Sequence, residues 1–167
     1  MPTSRLKEYL DTNHIRYVTI THSLAYTAGG IAQITHIPGK LIAKTVMVVV
    51  DGLLAMAVVP GPMHVDLRAM KAALGAEEIE IASERQFAHV FPDCELGAMP
   101  PFGNLYNLPV YVDEELTKDK EIAFNAGTHR ELIRLEYEDF GRLVAPQVLR
   151  IGTRTPAELH AESRRAS

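Results

Sequence analysis

Three places in this 167-residue chain combine residue types and settings that suit chemistry: Lys44, the stretch Gly97 to Gly103, and His129. Lys44 stands inside an apolar run, where two-residue alternation puts it on the face of Ile42, Val46 and Val48. An ammonium there must snorkel to solvent or meet a partner. The functional reading is a phosphate or carbonyl contact; the ordinary one is a lysine at a strand's start whose head reaches water. Gly97-Ala98-Met99-Pro100-Pro101-Phe102-Gly103 can be neither helix nor central strand, because paired prolines remove donors and the flanking glycines permit unusual φ. Glycines let backbone N–H groups approach a ligand and prolines fix the loop in advance, which suits an ester carbonyl or its developing oxyanion. Phe102 would add a hydrophobic wall; a rigid surface turn is the alternative. His129 follows Gly127-Thr128 where a strand begins, either as a hydrogen-bonded structural residue or as a member of the same cleft.

Other reactive groups are few. Asp113 closes an apolar strand, where it suits an α-ammonium contact or the cap of a helix beginning at Glu114. Cys94 is the sole cysteine, which excludes an internal disulfide and any cysteine-rich zinc or iron–sulfur site. As a nucleophile it needs a base within reach, His89 or His129; as a small packing residue it needs none. His14, His22, His36, His64 and His89 show no tight metal-ligand spacing, and no G-x-S-x-G, H-E-x-x-H or C-x-x-C pattern occurs. The expectation is a site with neither metal nor cofactor.

The elements that must position these residues read as one domain over 1–150, with a polar tail over 151–167. A 47% hydrophobic content at this length supports one real core. Leu6, Tyr9 and Leu10 share a helical face over about 3–13, with Thr3 or Ser4 as cap. Tyr17 to Thr21 reads as strand, and a short helix follows from Thr27. Leu41 to Val50 and Leu53 to Val59 form a hairpin through Asp51-Gly52, a dipeptide that tolerates positive φ. A helix starts behind Asp66 and ends at Gly75, Ile79 to Ile81 is a short strand, and Ser83 caps a further helix. Strands are expected at 110–112, 121–125 and 130–135, with Ala126-Gly127 as the last turn, and a helix at 137–143.

The run from Leu41 to Pro60 is broken by Lys44 and Asp51-Gly52, so no segment spans a membrane as an apolar helix. The N-terminus lacks a secretory pattern. A cytoplasmic location is expected. The net charge of −4 argues against a broad basic surface for DNA or RNA backbone, yet permits local contact with one RNA end.

A lysine opening an apolar strand, then G-x-x-x-P-F-G, then V-D, then A-G-x-H, is a motif order that resembles the YbaK and prolyl-tRNA-synthetase-associated (ProX-like) trans-editing family. Here it reads Lys44, Gly97 to Gly103, Val112-Asp113 and Ala126-Gly127-Thr128-His129, and the likeness covers roughly residues 22–145. The resemblance implies an α+β fold, a curled, barrel-like mixed β-sheet flanked by helices, with a cleft for the 3′-terminal adenosine and its esterified amino acid. It implies metal-independent hydrolysis of a mischarged aminoacyl-tRNA without a protein nucleophile, alone or beside a synthetase. Lys44, Gly97, Pro101, Gly103 and His129 would then be catalytic, while Met99, Pro100, Phe102, Asp113 and Gly127 would bind substrate. Lys44 would face the terminal nucleotide's phosphate or ribose, the loop backbone the carbonyl, and His129 the pocket shape or the substrate amine. Relatives act on alanyl, cysteinyl or seryl esters, often on tRNA for proline, and alanine is the first expectation here. Pro100 departs from the smaller or polar residue of many relatives. A non-catalytic module that binds an RNA end or a synthetase is the rival reading.

Overall fold

The computed structural model describes residues 4–154. Asp51 and Gly52, at φ of 48° and 82°, turn the chain between β2 (Ala43–Val50) and β3 (Leu53–Pro60). The two strands pair antiparallel without a break from Ala43↔Pro60 to Val50↔Leu53. Two successive left-handed residues give the tight hairpin whose twist matches its strands, as the Asp-Gly dipeptide implied. Asp51 is pinned there as well, its Oδ1 accepting from the amides of Glu77 and Glu78 at 2.9 and 2.8 Å. From Ala55 to Val59 the second strand is buried on both faces: Met56 and Val58 join one core cluster, Ala55, Ala57 and Val59 another. That two-sided burial is why its sequence is continuously apolar and does not alternate.

Around this hairpin a five-stranded sheet runs in the order β5 (Ile79–Ile81), β2, β3, β6 (Val110–Asp113), β9 (Gln147–Leu149). The last two pairings are parallel and the others antiparallel, so the sheet is mixed. A second, antiparallel sheet has the order β1 (Tyr17–Thr21), β8 (Glu131–Glu136), β7 (Glu121–Asn125). A parallel bridge between Ile42 and Ala123 joins the two. Two-residue strands β4 (His64–Val65) and β10 (Gly152–Thr153) pair separately. The expected mixed α+β class is therefore what forms, and the described strands close no barrel.

Helix ends follow local chemistry. In α2 (Ala28–Thr35), Thr27 Oγ1 accepts from Gly30 N–H at 3.0 Å; in α3 (Leu67–Leu74), Asp66 Oδ1 accepts from Ala69 N–H at 3.0 Å and Gly75, at φ 62°, ends the helix. The short α4 (Glu84–Phe87) is closed by Gln86 Oε1, which accepts from Ser83 N–H at 2.7 Å. Helix α1 (Ser4–Thr12) buries Leu6 and Leu10, and α5 (Tyr137–Val144) buries Phe140. Both feed one large cluster with Phe102, Phe124 and Val112. Thr3, the alternative cap of the first helix, lies outside the described residues. Ile151 is buried and Gly152-Thr153 pairs with β4, so packing continues just past residue 150, while 155–167 of the expected tail lie outside the described residues. No helix among the described residues is long and apolar enough to cross a membrane.

Candidate active site

A cleft of about 670 Å³ opens beside the Ile42–Ala123 bridge. Its walls come from the start of β2, the end of β7 at Asn125, the N-terminus of α2, the turn at Gly61-Pro62, and the loop residues Gly97 and Met99. The volume is that of a small-molecule site, and no aspartate or glutamate is among its lining residues.

Lys44 stands on the cleft wall, half-buried, on the face that packs Val46, Val48 and Val59. Its Nζ donates to the carbonyl of Met63 at 2.5 Å and to that of Gly61 at 3.3 Å. The partner that an ammonium on an apolar strand face requires thus includes the backbone turn after β3.

The loop is tied down from the other sheet. Gly127, at φ 100°, donates its N–H to Ala98 O at 2.9 Å and accepts from Glu95 N–H at 2.8 Å. His129 is only 5% exposed, with Nε2 2.7 Å from Leu96 O. A carbonyl can only accept, so Nε2 carries the proton and, in the neutral ring, Nδ1 is the lone-pair nitrogen. Gly97, at φ 83°, lies directly against this ring. Ala98 N–H is committed to Glu95 O at 3.1 Å, whereas no hydrogen bond from the amides of Gly97 or Met99 occurs in the described chain. The structure therefore brings Lys44, Gly97 and Met99 onto one cleft, with Gly127 and His129 as the scaffold beneath the loop.

The remaining sequence candidates sit elsewhere. Pro100 and Pro101 are buried and do not line the cleft. Phe102 is in the core, its ring 5.4 Å from Phe124, 5.5 Å from Phe140 and 6.3 Å from Tyr9. Gly103 is required by packing: a Cβ there would come within 2.5 Å of Leu108 O and 2.6 Å of Val110 Cγ2. Asp113 is 1% exposed and serves three amides, its Oδ2 accepting from Glu115 at 3.0 Å and its Oδ1 from Ile151 and Gly152 at 2.9 and 2.7 Å. That is the capping role foreseen for the helix at Glu114, extended to the strand that follows β9. Cys94 Sγ lies 3.7 Å from Tyr106 Oη and 3.9 Å from Asp93 Oδ1, with no histidine among the described residues bonded to it, and burial pushes its thiol up to about 11.

The lining residues without a site role in the sequence motifs include four with polar side chains, Tyr26, Thr45, His64 and Asn125. Thr45 and Asn125 directly follow Lys44 and directly precede Ala126-Gly127, so adjacency to the motifs was the available signal. Thr45 Oγ1, Asn125 Oδ1 and His129 Nδ1 are buried without a hydrogen-bond partner among the described residues, an arrangement that costs about 1–3 kcal/mol per group. Of these three residues, Thr45 and Asn125 line the cleft. Among the described residues no group of three or more His, Cys, Asp or Glu is placed to hold a metal ion.

The model of the aminoacyl-tRNA editing domain family matches residues 22–143. No curated protein is a match. A solved structure described as a candidate trans-editing enzyme for prolyl tRNA synthetase is similar with TM-score 0.78 at 24% identity, over 91% of this chain and 97% of that one. A hypothetical protein gives TM-score 0.81 at 16% identity, over 90% and 100%. A candidate signal transduction protein from Marinobacter aquaeolei VT8 gives 0.70 at 18%, with 89% of this chain matching 30% of that one. At these identities the structures speak for the fold.

Proposed function

The chain belongs to the aminoacyl-tRNA editing domain family, and from that premise we propose that it hydrolyses the ester of a mischarged aminoacyl-tRNA in trans, with a small amino acid, alanine, cysteine or serine, on tRNA for proline. The observation that carries this reading is the meeting of Lys44 with the uncommitted amides of Gly97 and Met99 on one cleft. Aminoacyl esters are already activated, so a site that positions water and stabilises the oxyanion suffices without a protein nucleophile. The Gly97 and Met99 N–H groups are the donors for the carbonyl as its oxygen becomes anionic, each worth about 3 kcal/mol when well placed. Water adds to the ester carbon, and the terminal ribose oxygen leaves with a proton. Lys44 holds the phosphate or ribose of the terminal nucleotide, and its bonds to Gly61 and Met63 set where that anchor stands. His129 holds the loop at working height through Leu96 O and takes part in pocket shape. Met99 bounds the amino-acid end, and a volume of about 670 Å³ accepts an aminoacyl nucleoside, so the acceptor end is the part of the RNA that enters the cleft.

The test is a panel of tRNA for proline charged with alanine, cysteine, serine or proline, incubated with the wild-type protein and with Lys44→Ala. Rapid deacylation of one mischarged species, spared prolyl-tRNA and loss of the activity in Lys44→Ala is the expected result. No acceleration across the panel, with tRNA still bound, would leave a binding module in place of a hydrolase.

A further inference from the structure

We propose that Tyr26 is a stacking platform for the terminal nucleobase of the RNA, a role that rests on the deacylase reading for the identity of its ligand. Tyr26 is 69% exposed, yet it lines the same cleft as Lys44 and Gly97. Its position is fixed from three sides. The ring lies 4.7 Å, centroid to centroid, from the His129 imidazole at an interplanar angle of 54°. On one flank buried Ala25 donates its N–H to His129 O at 3.2 Å, and on the other Thr27 caps α2 through Gly30 N–H at 3.0 Å. A large ring is thereby held at the cleft rim with most of its surface open to solvent. Every base has a π-face, so an exposed ring of this kind accepts a base without regard to sequence, at about 5- to 150-fold in affinity per base. Held from both flanks, it also loses little freedom on binding.

The placement matches the geometry of one nucleoside. Tyr26 and Gly97 both rest on His129, the first against its ring and the second against Cε1, so the stacking surface and the loop that takes the ester carbonyl flank a single imidazole. An aminoacyl nucleoside presents a flat base and an ester carbonyl separated by one ribose, and the cleft is lined by an aromatic ring and by Gly97 and Met99, whose amides have no hydrogen bond within the described chain. Stacking needs the ring and not its hydroxyl, so phenylalanine should replace tyrosine while leucine should not. The competing use of the ring, as a wall for the amino-acid side chain, would change the ranking among amino acids and leave the base unread.

The experiment uses a short acceptor-end RNA with 2-aminopurine as its terminal base and a non-hydrolysable 3′-aminoacyl amide. Fluorescence is expected to fall on binding to wild type and to Tyr26→Phe, and to stay unquenched with Tyr26→Leu. In parallel, kcat/KM is measured for an alanyl ester of adenosine and for the corresponding ester of base-free ribose. The advantage of the adenosine ester should shrink by about tenfold or more in Tyr26→Leu, mainly through KM, and persist in Tyr26→Phe. An unchanged advantage in Tyr26→Leu, or an equal quench, overturns the platform and leaves the deacylase standing. Quenching that depends on Tyr26 with no hydrolysis of either ester overturns the deacylase and leaves the platform.

Discussion

Gly97 packs on His129: a Cβ on Gly97 would stand in van der Waals contact with the imidazole Cε1, at 3.4 Å. Gly97 also takes φ +83°, which an L side chain adopts only with strain of about 1–2 kcal/mol. Gly97→Ala therefore carries a backbone penalty, while its methyl would meet the imidazole only in ordinary van der Waals contact, and its relief is a shift of the loop that lines the cleft. The expected outcome is a melting temperature lowered by roughly 2–8 °C and kcat lowered on the order of a hundredfold, because an oxyanion donor moves out of line. Calorimetry and single-turnover hydrolysis read the two effects separately; a drop in stability with kcat intact would remove the loop from catalysis.

Phe102→Ala should be a stability variant first. The ring is fully buried between Phe124, Phe140 and Tyr9, and removing such a side chain costs about 3–5 kcal/mol. Chemical denaturation should show the loss, with Phe102→Leu recovering part of it, and the fraction still folded should hydrolyse substrate at a rate close to wild type.

The contrast between Phe102 and the Asp51-Gly52 turn shows what the sequence could carry. The hairpin, the caps at Thr27 and Asp66 and the stop at Gly75 rest on bonds within a few residues, so the local pattern states them. Phe102 stands in a loop whose composition suggests a binding wall, but its environment is made by strand 121–125 and helix 137–144, which meet it only in the folded chain. Strands β9 and β10 are not among the expected elements for the same reason: they exist because Val112 and Val65, distant in sequence, are there to pair with. In the site, motif order exposed Lys44, Gly97 and His129. Tyr26, whose signal is its exposure beside His129, required coordinates.

Cys94 should be a slow thiol. Burial pushes it up to about 11 from an ordinary 9.0, so at pH 8 about one molecule in a thousand carries the thiolate that reacts. Alkylation by iodoacetamide should be slow at neutral pH and climb through pH 9 and 10 without a plateau. The folded state holds the proton more tightly than the unfolded one, so this contribution to stability is full below about pH 9 and is lost as pH rises toward 11. Cys94→Ala should retain hydrolysis; its loss, with the fold intact, would bring back a thiol nucleophile.

Asp113 decides between a substrate contact and a clamp. Its two oxygens accept three amides, from Glu115, Ile151 and Gly152, and a Cβ on Gly152 would already meet the carboxylate at 3.1 Å, so the group is enclosed by backbone. In Asp113→Asn one oxygen becomes an NH₂ that must face an N–H, which leaves a buried donor without an acceptor at a cost of about 1–3 kcal/mol. The expected outcome is a melting temperature lower by roughly 2–10 °C and faster hydrogen exchange at the amides of Ile151 and Gly152. Because Asp113 does not line the cleft, kcat/KM per folded molecule should stay within about twofold of wild type. If catalysis collapses while exchange at Ile151 and Gly152 stays slow, the carboxylate serves the substrate amine and the clamp is secondary.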